Sequence, residues 1–544
     1  MSTPPSRESR ISALPEHMRA LLRARMAGHA VVTDAIAPVD RTAELPASFA
    51  QRRLWFLEEF RPGGVEYNSG LALRMTGALD RQALTWAVEQ IVERHEGLRT
   101  TFDAVDGRAI QVVHPSMTVQ VEHLDLSAYA DPAARDAAAD RVLRERLLTP
   151  FDLRVGPLFR VLLVRLGDDD HALLLSMHHI ISDGRSLDIL TGELGACYAA
   201  ALNGRDAAEL PALPVQYADF AAWQHDRLTE TELQGGLEYW RQRLDGLQPL
   251  ELPTDRPRPT VRSGAGAVHA FDIPQELAAG LARLGREHGA SLFVTLTAVT
   301  QLLLARYSGQ DDIALGTATS GRDRAELENL VGFFVNTLVL RSHADPSATV
   351  GDFLASVKGT VLEAFDHQEV PFDRVVEALA PERDPSRMPL VQAMVVLQSS
   401  TSAAPVFAGL RTEPMSVSRD ALPFDFMLEF EEREGELQGA IEYGTDLFDA
   451  GTVGRMAGHW LGLAGALVAG GSGRVLGEVS MLGVVEREWV VGAGRGVVRG
   501  LSGGSVVEGF AARVAESPGA VAVVCGDVSL TYGELDARAG RLAR

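Results

Sequence analysis

Two apolar runs of β character, Leu158 to Leu166 and His171 to Met177, stand on either side of Gly167-Asp168-Asp169-Asp170. The polar break is a turn signal, so the two runs read as a β-hairpin. The second run leads into Met177-His178-His179-Ile180-Ile181-Ser182-Asp183-Gly184, which puts two histidines, a carboxylate and a glycine at a strand's exit. Successive side chains of a strand point to opposite faces, so a regular strand cannot turn both imidazoles into one pocket. One histidine is expected to be chemical and the other structural. Asp183-Gly184 turns the chain, and Ser186 is expected to cap a helix that carries Leu187, Leu190, Leu194 and Tyr198 on one face.

The chain has 544 residues, more than a single core usually supports, which predicts two or three domains or lobes. Its 51 Lys+Arg against 73 Asp+Glu give a formal charge of -22. That charge repels phosphates and leaves no basic footprint, so nucleic acid is not an expected partner. The two cysteines, Cys197 and Cys525, are far apart and lack metal spacing, which fits a reducing cytoplasm without disulfides. No apolar run is long enough to span a bilayer and the N-terminus has no secretion-signal core. The expected protein is therefore soluble and cytoplasmic, with no membrane partner.

Residues 1–42 are polar apart from Leu14, Met18, Leu21, Leu22 and Met26 at helical spacing, which reads as a linker or a docking helix. Strand-like and helical stretches alternate over 43–229, and a second block with the same mix runs over 230–490. Pro249, Pro253, Pro257 and Pro259 cannot lie in a helix interior and read as a crossing between the two blocks. In the second block Leu292 to Tyr307 reads as a long apolar helix, followed by β-like Ile313 to Thr317 and the turn Ser320-Gly321-Arg322. Residues 491–544 begin as a Gly/Val-rich linker.

A metal site built on His178, His179 and Asp183 lacks a third or fourth ligand at the spacing zinc requires, so no metal is expected. The one Gly-x-Ser-x-Gly pattern, Gly500-Leu501-Ser502-Gly503-Gly504, falls in a Gly/Val-rich stretch that reads as linker, so it marks no serine nucleophile. A histidine acting alone, with an Asp and a glycine beside it, suits direct transfer of an acyl group to an incoming nucleophile. Seven stretches, in order, sharpen this: Ser48-Phe49-Ala50-Gln51-Arg52-Arg53-Leu54-Trp55-Phe56; Arg94-His95-Glu96-Gly97-Leu98-Arg99-Thr100; His178 to Gly184; Tyr217-Ala218-Asp219-Phe220-Ala221-Ala222-Trp223; Val331-Gly332-Phe333-Phe334-Val335-Asn336-Thr337; His367-Gln368-Glu369-Val370-Pro371-Phe372; and Arg383-Asp384-Pro385-Ser386-Arg387-Met388-Pro389-Leu390. With these the chain resembles the condensation domains of non-ribosomal peptide synthetases, relatives of chloramphenicol acetyltransferase with the signature His-His-x-x-x-Asp-Gly. From Ser505 on it resembles the opening of an adenylation domain, through Leu530-Thr531-Tyr532-Gly533-Glu534-Leu535.

The resemblance implies an α/β (α+β) fold of two chloramphenicol-acetyltransferase-like lobes forming a V-shaped pseudo-dimer, with the site between them. It implies that the amine of an acceptor aminoacyl thioester attacks a donor aminoacyl or peptidyl thioester. Both would arrive on phosphopantetheine arms of upstream donor and downstream acceptor carrier proteins beside an adjoining adenylation domain, with no bound cofactor. It also implies that His179 faces the reaction centre, either orienting the amine or taking its proton, while His178 supports the strand. Gly184 falls where a backbone N–H lies near the developing oxyanion. Asp183 is expected to fix the loop by pairing with Arg322, and Asn336, Ser182 and Arg185 to line the substrate channel. Arg94, Glu96 and Arg99 read as an ion-pair network, and Trp55, Phe56 and Trp223 as core aromatics.

The signature and the stretch from Val331 to Arg341 look most like the subtype joining an L-configured donor to an L-acceptor. Arg185, Met388 and Pro423 depart from the family pattern and bear on subtype and substrate, which leaves dehydration of a tethered residue open. An epimerase would need a Glu-Gly-His-Gly-Arg-Glu stretch, absent here. A non-catalytic platform that recruits carriers would usually have an altered histidine pair.

Overall fold

The structure is a computed structural model that describes residues 35–381, 384–399, 406–417, 420–433, 435–496 and 504–543. The chain divides into two compact units, Met1–Met481 and Leu482–Arg544. The amphipathic stretch around Leu14 to Met26 lies outside the described residues.

The first unit holds two lobes, each a sheet covered by helices. In the first lobe the strand order is Arg411–Met415, Asn68–Thr76, Asp170–His178, Phe159–Arg165, Val121–Asp125, antiparallel except for the last pair. The hairpin read from sequence is its centre. Alternation along these strands sends Leu73, Leu163, Leu173 and Leu175 into one buried cluster and Ala72, Leu162, Val164 and Leu174 into another on the opposite face. A sheet buried on both faces explains why the runs are almost continuously apolar.

The second lobe has a six-stranded sheet, in the order Asn336–His343, Asp312–Thr319, Ala393–Ser399, Phe426–Arg433, Glu436–Gly444, Gly266–Ile273. Its core includes the apolar helix Leu292–Ser308 and the fully buried Trp240 and Trp460. The helix Glu230–Leu244 already belongs to this lobe, through Leu233, Leu237, Trp240 and Leu244.

Two readings are corrected here. The proline-bearing stretch after Leu244 is not a crossing between blocks. It is laced onto the second lobe, where Gln392 accepts from Leu250 N at 2.8 Å and Asp425 takes Arg258 at 2.7 Å. Conversely, 230–490 is not one contiguous lobe, because Arg411–Met415 leaves it and pairs with Asn68–Thr76 in the first sheet. A five-residue strand containing Pro414 fits only at a sheet edge, and it occupies one.

The second unit consists of the helices Val484–Ala493, Val506–Glu516 and Tyr532–Leu542 and the antiparallel pair Val521–Cys525 with Val528–Thr531. None of its three helices buries a residue. Among the described residues no single helix is long and apolar enough to cross a membrane.

Candidate active site

The histidine strand ends at His178, and a single 3-10 turn, His179–Ile181, follows before the helix Gly184–Leu202 begins. The break in the strand, rather than strand alternation alone, sends the imidazoles to different environments. His178 is 3% exposed and lies between Tyr67 and Phe151. Its Nδ1 accepts from the Ile180 N–H at 3.1 Å, so the ring is the Nε2–H tautomer when neutral. Burial, reinforced by the neighbouring His179, pushes its pKa down to about 3. This ring stays uncharged at neutral pH and supports the turn.

His179 is half-buried. Its backbone N–H donates to Tyr67 O at 2.8 Å, and its Nδ1 lies 3.0 Å from Ser182 O. A carbonyl only accepts, so Nδ1 carries the proton and the lone pair of the neutral ring sits on Nε2. Adjacent in sequence, the two rings hold opposite tautomers, and the one with its lone pair on the outer nitrogen is the one with solvent access.

Asp183, not Ser186, is the N-cap of the following helix. Its Oδ1 accepts from Ser186 N at 2.8 Å and from Ser186 Oγ at 2.7 Å. An Asp beyond the end of an apolar strand is as good a cap as a Ser inside the first turn, and here it caps while also holding a cation. Arg322 reaches across from the second lobe and donates from Nη2 to Asp183 Oδ1 and Oδ2 at 2.9 and 3.1 Å. The two side chains are 3% and 5% exposed, so this is a buried ion pair. Arg322 also donates from Nη1 to Leu327 O and Leu330 O and lies 4.2 Å over the Phe334 ring. Gly184 opens the 19-residue helix and is exposed, and a Cβ built there meets nothing within 4 Å. Its N–H belongs to the first turn, which has no intrahelical acceptor, at the positive end of the helix dipole.

The structure does not bring the remaining expected channel residues to such positions. Ser182 is fully buried, with Oγ on His178 O at 3.3 Å, because it closes the turn. Arg185 turns along the helix surface to Asp188 at 3.8 Å. Asn336 does border an interlobe cleft. Its amide, however, donates to Gln368 O and Val370 O and accepts from Thr337 N and Phe372 N, at 2.8 to 3.0 Å. Two donors and two acceptors are all an Asn has, so its polar group staples the 368–372 loop.

Other sequence readings are also refined. Trp55 is buried but Phe56 is 63% exposed. The ion-pair network lies within the first lobe and the segment entering it. Arg94 Nε and His95 Nε2 both hold Glu193 of the signature helix, at 3.1 and 2.6 Å, while Glu96 and Asp219 hold Arg41 at 2.7 and 2.6 Å.

Residues that single motifs did not single out close a ring around the turn. Gln51 Nε2 donates to Ile180 O at 3.1 Å. Tyr217 OH donates to Phe333 O at 2.5 Å and therefore accepts from Ser48 Oγ at 2.8 Å. Ser186 Oγ accepts from Gly332 N at 3.1 Å. A Cβ at Gly332 would stand 1.9 Å from the Tyr217 ring, so only glycine fits there. The sole signal for these contacts was that Ser48, Gln51, Tyr217 and Gly332 all fall inside the seven ordered stretches.

A model of the condensation domain family matches residues 41–487. The chain belongs to the condensation domain family. It is 41% identical over 512 residues to a linear gramicidin synthase of Brevibacillus parabrevis, a match covering 93% of this chain and 7% of that protein. Over 547 residues it is 39% identical to phosphinothricin tripeptide synthetase PhsC of Streptomyces viridochromogenes, covering 98% of this chain and 50% of that one. The chain thus spans half or less of these curated relatives. Among solved structures it is similar to the X-domain from teicoplanin biosynthesis, with a TM-score of 0.75, 28% identity, and coverage of 82% of this chain and all of that one. The first condensation domain of the CDA synthetase shares the fold, with a TM-score of 0.69 at 21% identity over 82% of this chain and all of that one. The two-lobed mixed α/β architecture is that of this family. Among the described residues no group of three or more His, Cys, Asp or Glu is arranged to hold a metal ion.

Proposed function

We propose that this condensation domain joins two carrier-tethered substrates by an amide bond. The acceptor amine attacks the donor thioester carbonyl, the C–N bond forms, the C–S bond breaks, and the amine proton leaves with the departing donor thiol. His179 Nε2 accepts the hydrogen bond of the attacking amine. The Gly184 N–H, at the head of the signature helix, faces the oxygen on which negative charge develops. Asp183 and Arg322 hold these two groups in register from opposite lobes. An α-amino group has a pKa of about 8, so a useful fraction is neutral near physiological pH and the imidazole need not be a strong base. Holding two tethered reactants side by side supplies most of the rate.

The observation that carries this reading is the opposed tautomers of the adjacent imidazoles, which place the lone pair of the half-buried His179 ring on Nε2 beside an exposed helix N-terminus. Donor and acceptor are read as phosphopantetheine thioesters on upstream and downstream carriers, joined with L-to-L stereochemistry. The residues from Ser505 on are read as the opening of an adenylation domain.

The test loads defined donor and acceptor thioesters on their carriers and follows amide formation by intact-protein mass. The expected result is product from the wild type and a loss of about 10²- to 10⁴-fold in His179→Ala. Equal product from both proteins overturns the role of His179. A second reading has one observation behind it: the similar X-domain from teicoplanin biosynthesis has been solved in complex with OxyB, so in that protein the fold forms a complex with another protein. Absence of acyl transfer with every carrier pair favours such a platform.

A further inference from the structure

Between the lobes lies a cleft of about 130 Å³ lined by both aromatic and polar residues, with Phe49, Trp223, Phe333 and Phe372 around the Arg53–Asp373 pair. Arg53 stacks 5.0 Å over the Phe372 ring, which keeps its guanidinium against the wall. Asn336 also borders the cleft, but its polar group is spent on backbone. Gln224, Arg227, Asp323 and Glu369 add polar edges, yet more of the cleft's surface is apolar than polar.

Phe333 connects this cleft to the signature. It lines the cleft, and its ring packs on the His179 imidazole with centroids 5.8 Å apart. Its backbone is fixed independently, by the Tyr217 hydroxyl on its carbonyl and by the Tyr217 ring against Gly332. The ring itself is only partly buried. Size at position 333 can thus change without disturbing the clamp that holds the backbone.

We propose that this cleft seats an apolar amino-acid side chain of one of the two tethered substrates, and that Phe333 is a specificity-determining residue setting the largest side chain admitted. The inference rests on the condensation reading above. An apolar cavity of about 150 Å³ is enough to hold benzene, so the upper limit is about one phenyl ring. Shortening residue 333 enlarges the cleft on the side of His179, and a larger ring there closes it.

The test compares wild type, Phe333→Leu, Phe333→Ala and Phe333→Trp with glycyl, leucyl and phenylalanyl thioesters. These are varied first as acceptor with the donor fixed, then as donor with the acceptor fixed, and amide is read by intact-protein mass. The readout is the phenylalanyl-to-glycyl rate ratio within each protein. The ratio is expected to rise by about tenfold in Phe333→Ala, by less in Phe333→Leu, and to fall by about tenfold in Phe333→Trp. The change belongs to one substrate only, and the arm in which it appears identifies that substrate. Ratios that stay within about twofold of wild type, that move the same way in all variants, or that vanish because every variant is inactive with glycine overturn the proposal. If the wild type forms no amide with any pair, it is the condensation reading that fails.

Discussion

The signature turn, His178 to Gly184, and the second-lobe loop, Arg322 to Asn336, meet face to face and divide their labour. The turn leaves accessible the two groups that the proposed reaction uses, a half-buried imidazole and an exposed helix-terminal glycine. The loop spends its polar groups on structure. Arg322 binds Asp183 and two carbonyls, Gly332 binds Ser186, and Asn336 saturates its amide on backbone. A motif in a sequence does not say which of these tasks its polar residues perform. Solvent access and remaining hydrogen-bond capacity do.

The strongest way to break this division is to unpair the buried charges. Asp183→Asn keeps the cap geometry but leaves the Arg322 guanidinium without its carboxylate, and is expected to cost about 3–5 kcal/mol of stability by urea denaturation. Arg322→Ala should cost a similar amount, and the double variant less than the sum, because each single change already strands a buried charge. Additive losses would show that the pair is not coupled.

A smaller effect tests the fit of the loop. Gly332→Ala drives a methyl group into the Tyr217 ring, which Phe220 and Phe334 back at 5.5 and 4.9 Å between centroids. Overpacking of this kind is expected to cost about 1–3 kcal/mol. The cost of Gly332→Ala should be smaller when measured in a Tyr217→Ala background, where the ring that the methyl group meets is gone.

The smallest effect concerns pH and sharpens the contrast within the turn. Below its ordinary value of 6.5, position 178 takes a proton in the unfolded chain that the folded chain refuses until about pH 3. The unfolded state binds more protons in that window, so stability falls as pH drops, by at most about 1.4 kcal/mol per pH unit. In His178→Asn the Oδ1 can replace Nδ1 as acceptor for Ile180 N while nothing titrates. Its urea stability between about pH 5 and about pH 6.5 should therefore slope less than wild type. An unchanged slope means that His178 is not the group responsible.

Much of this architecture was legible because it obeys local rules. The Leu158–Met177 hairpin, the apolar helix after Ser291 and the break at Asp183-Gly184 follow from hydrophobic pattern and turn chemistry. What was illegible depends on partners distant in sequence. Arg411–Met415 carries no alternation to say which sheet it joins. Three of the four partners of the Asn336 amide lie 32 to 36 residues away in the chain. Ser182 sits in the signature yet is buried by the 3-10 turn that follows the strand, a turn that strand periodicity cannot foresee. Only the ordered stretches, taken together, pointed to Ser48, Tyr217 and Gly332, and contact was needed to show what they do.

The division of labour stands or falls on rate and stability measured in the same samples. Single-turnover amide formation and the urea midpoint should be recorded side by side for His179→Ala and Asp183→Asn. The expected result for His179→Ala is a rate lowered by about 10²- to 10⁴-fold with a midpoint close to wild type, and for Asp183→Asn a clear fall in midpoint. A His179→Ala protein that forms product at the wild-type rate, or that loses activity only in step with its stability, would contradict the placement of chemistry in the turn.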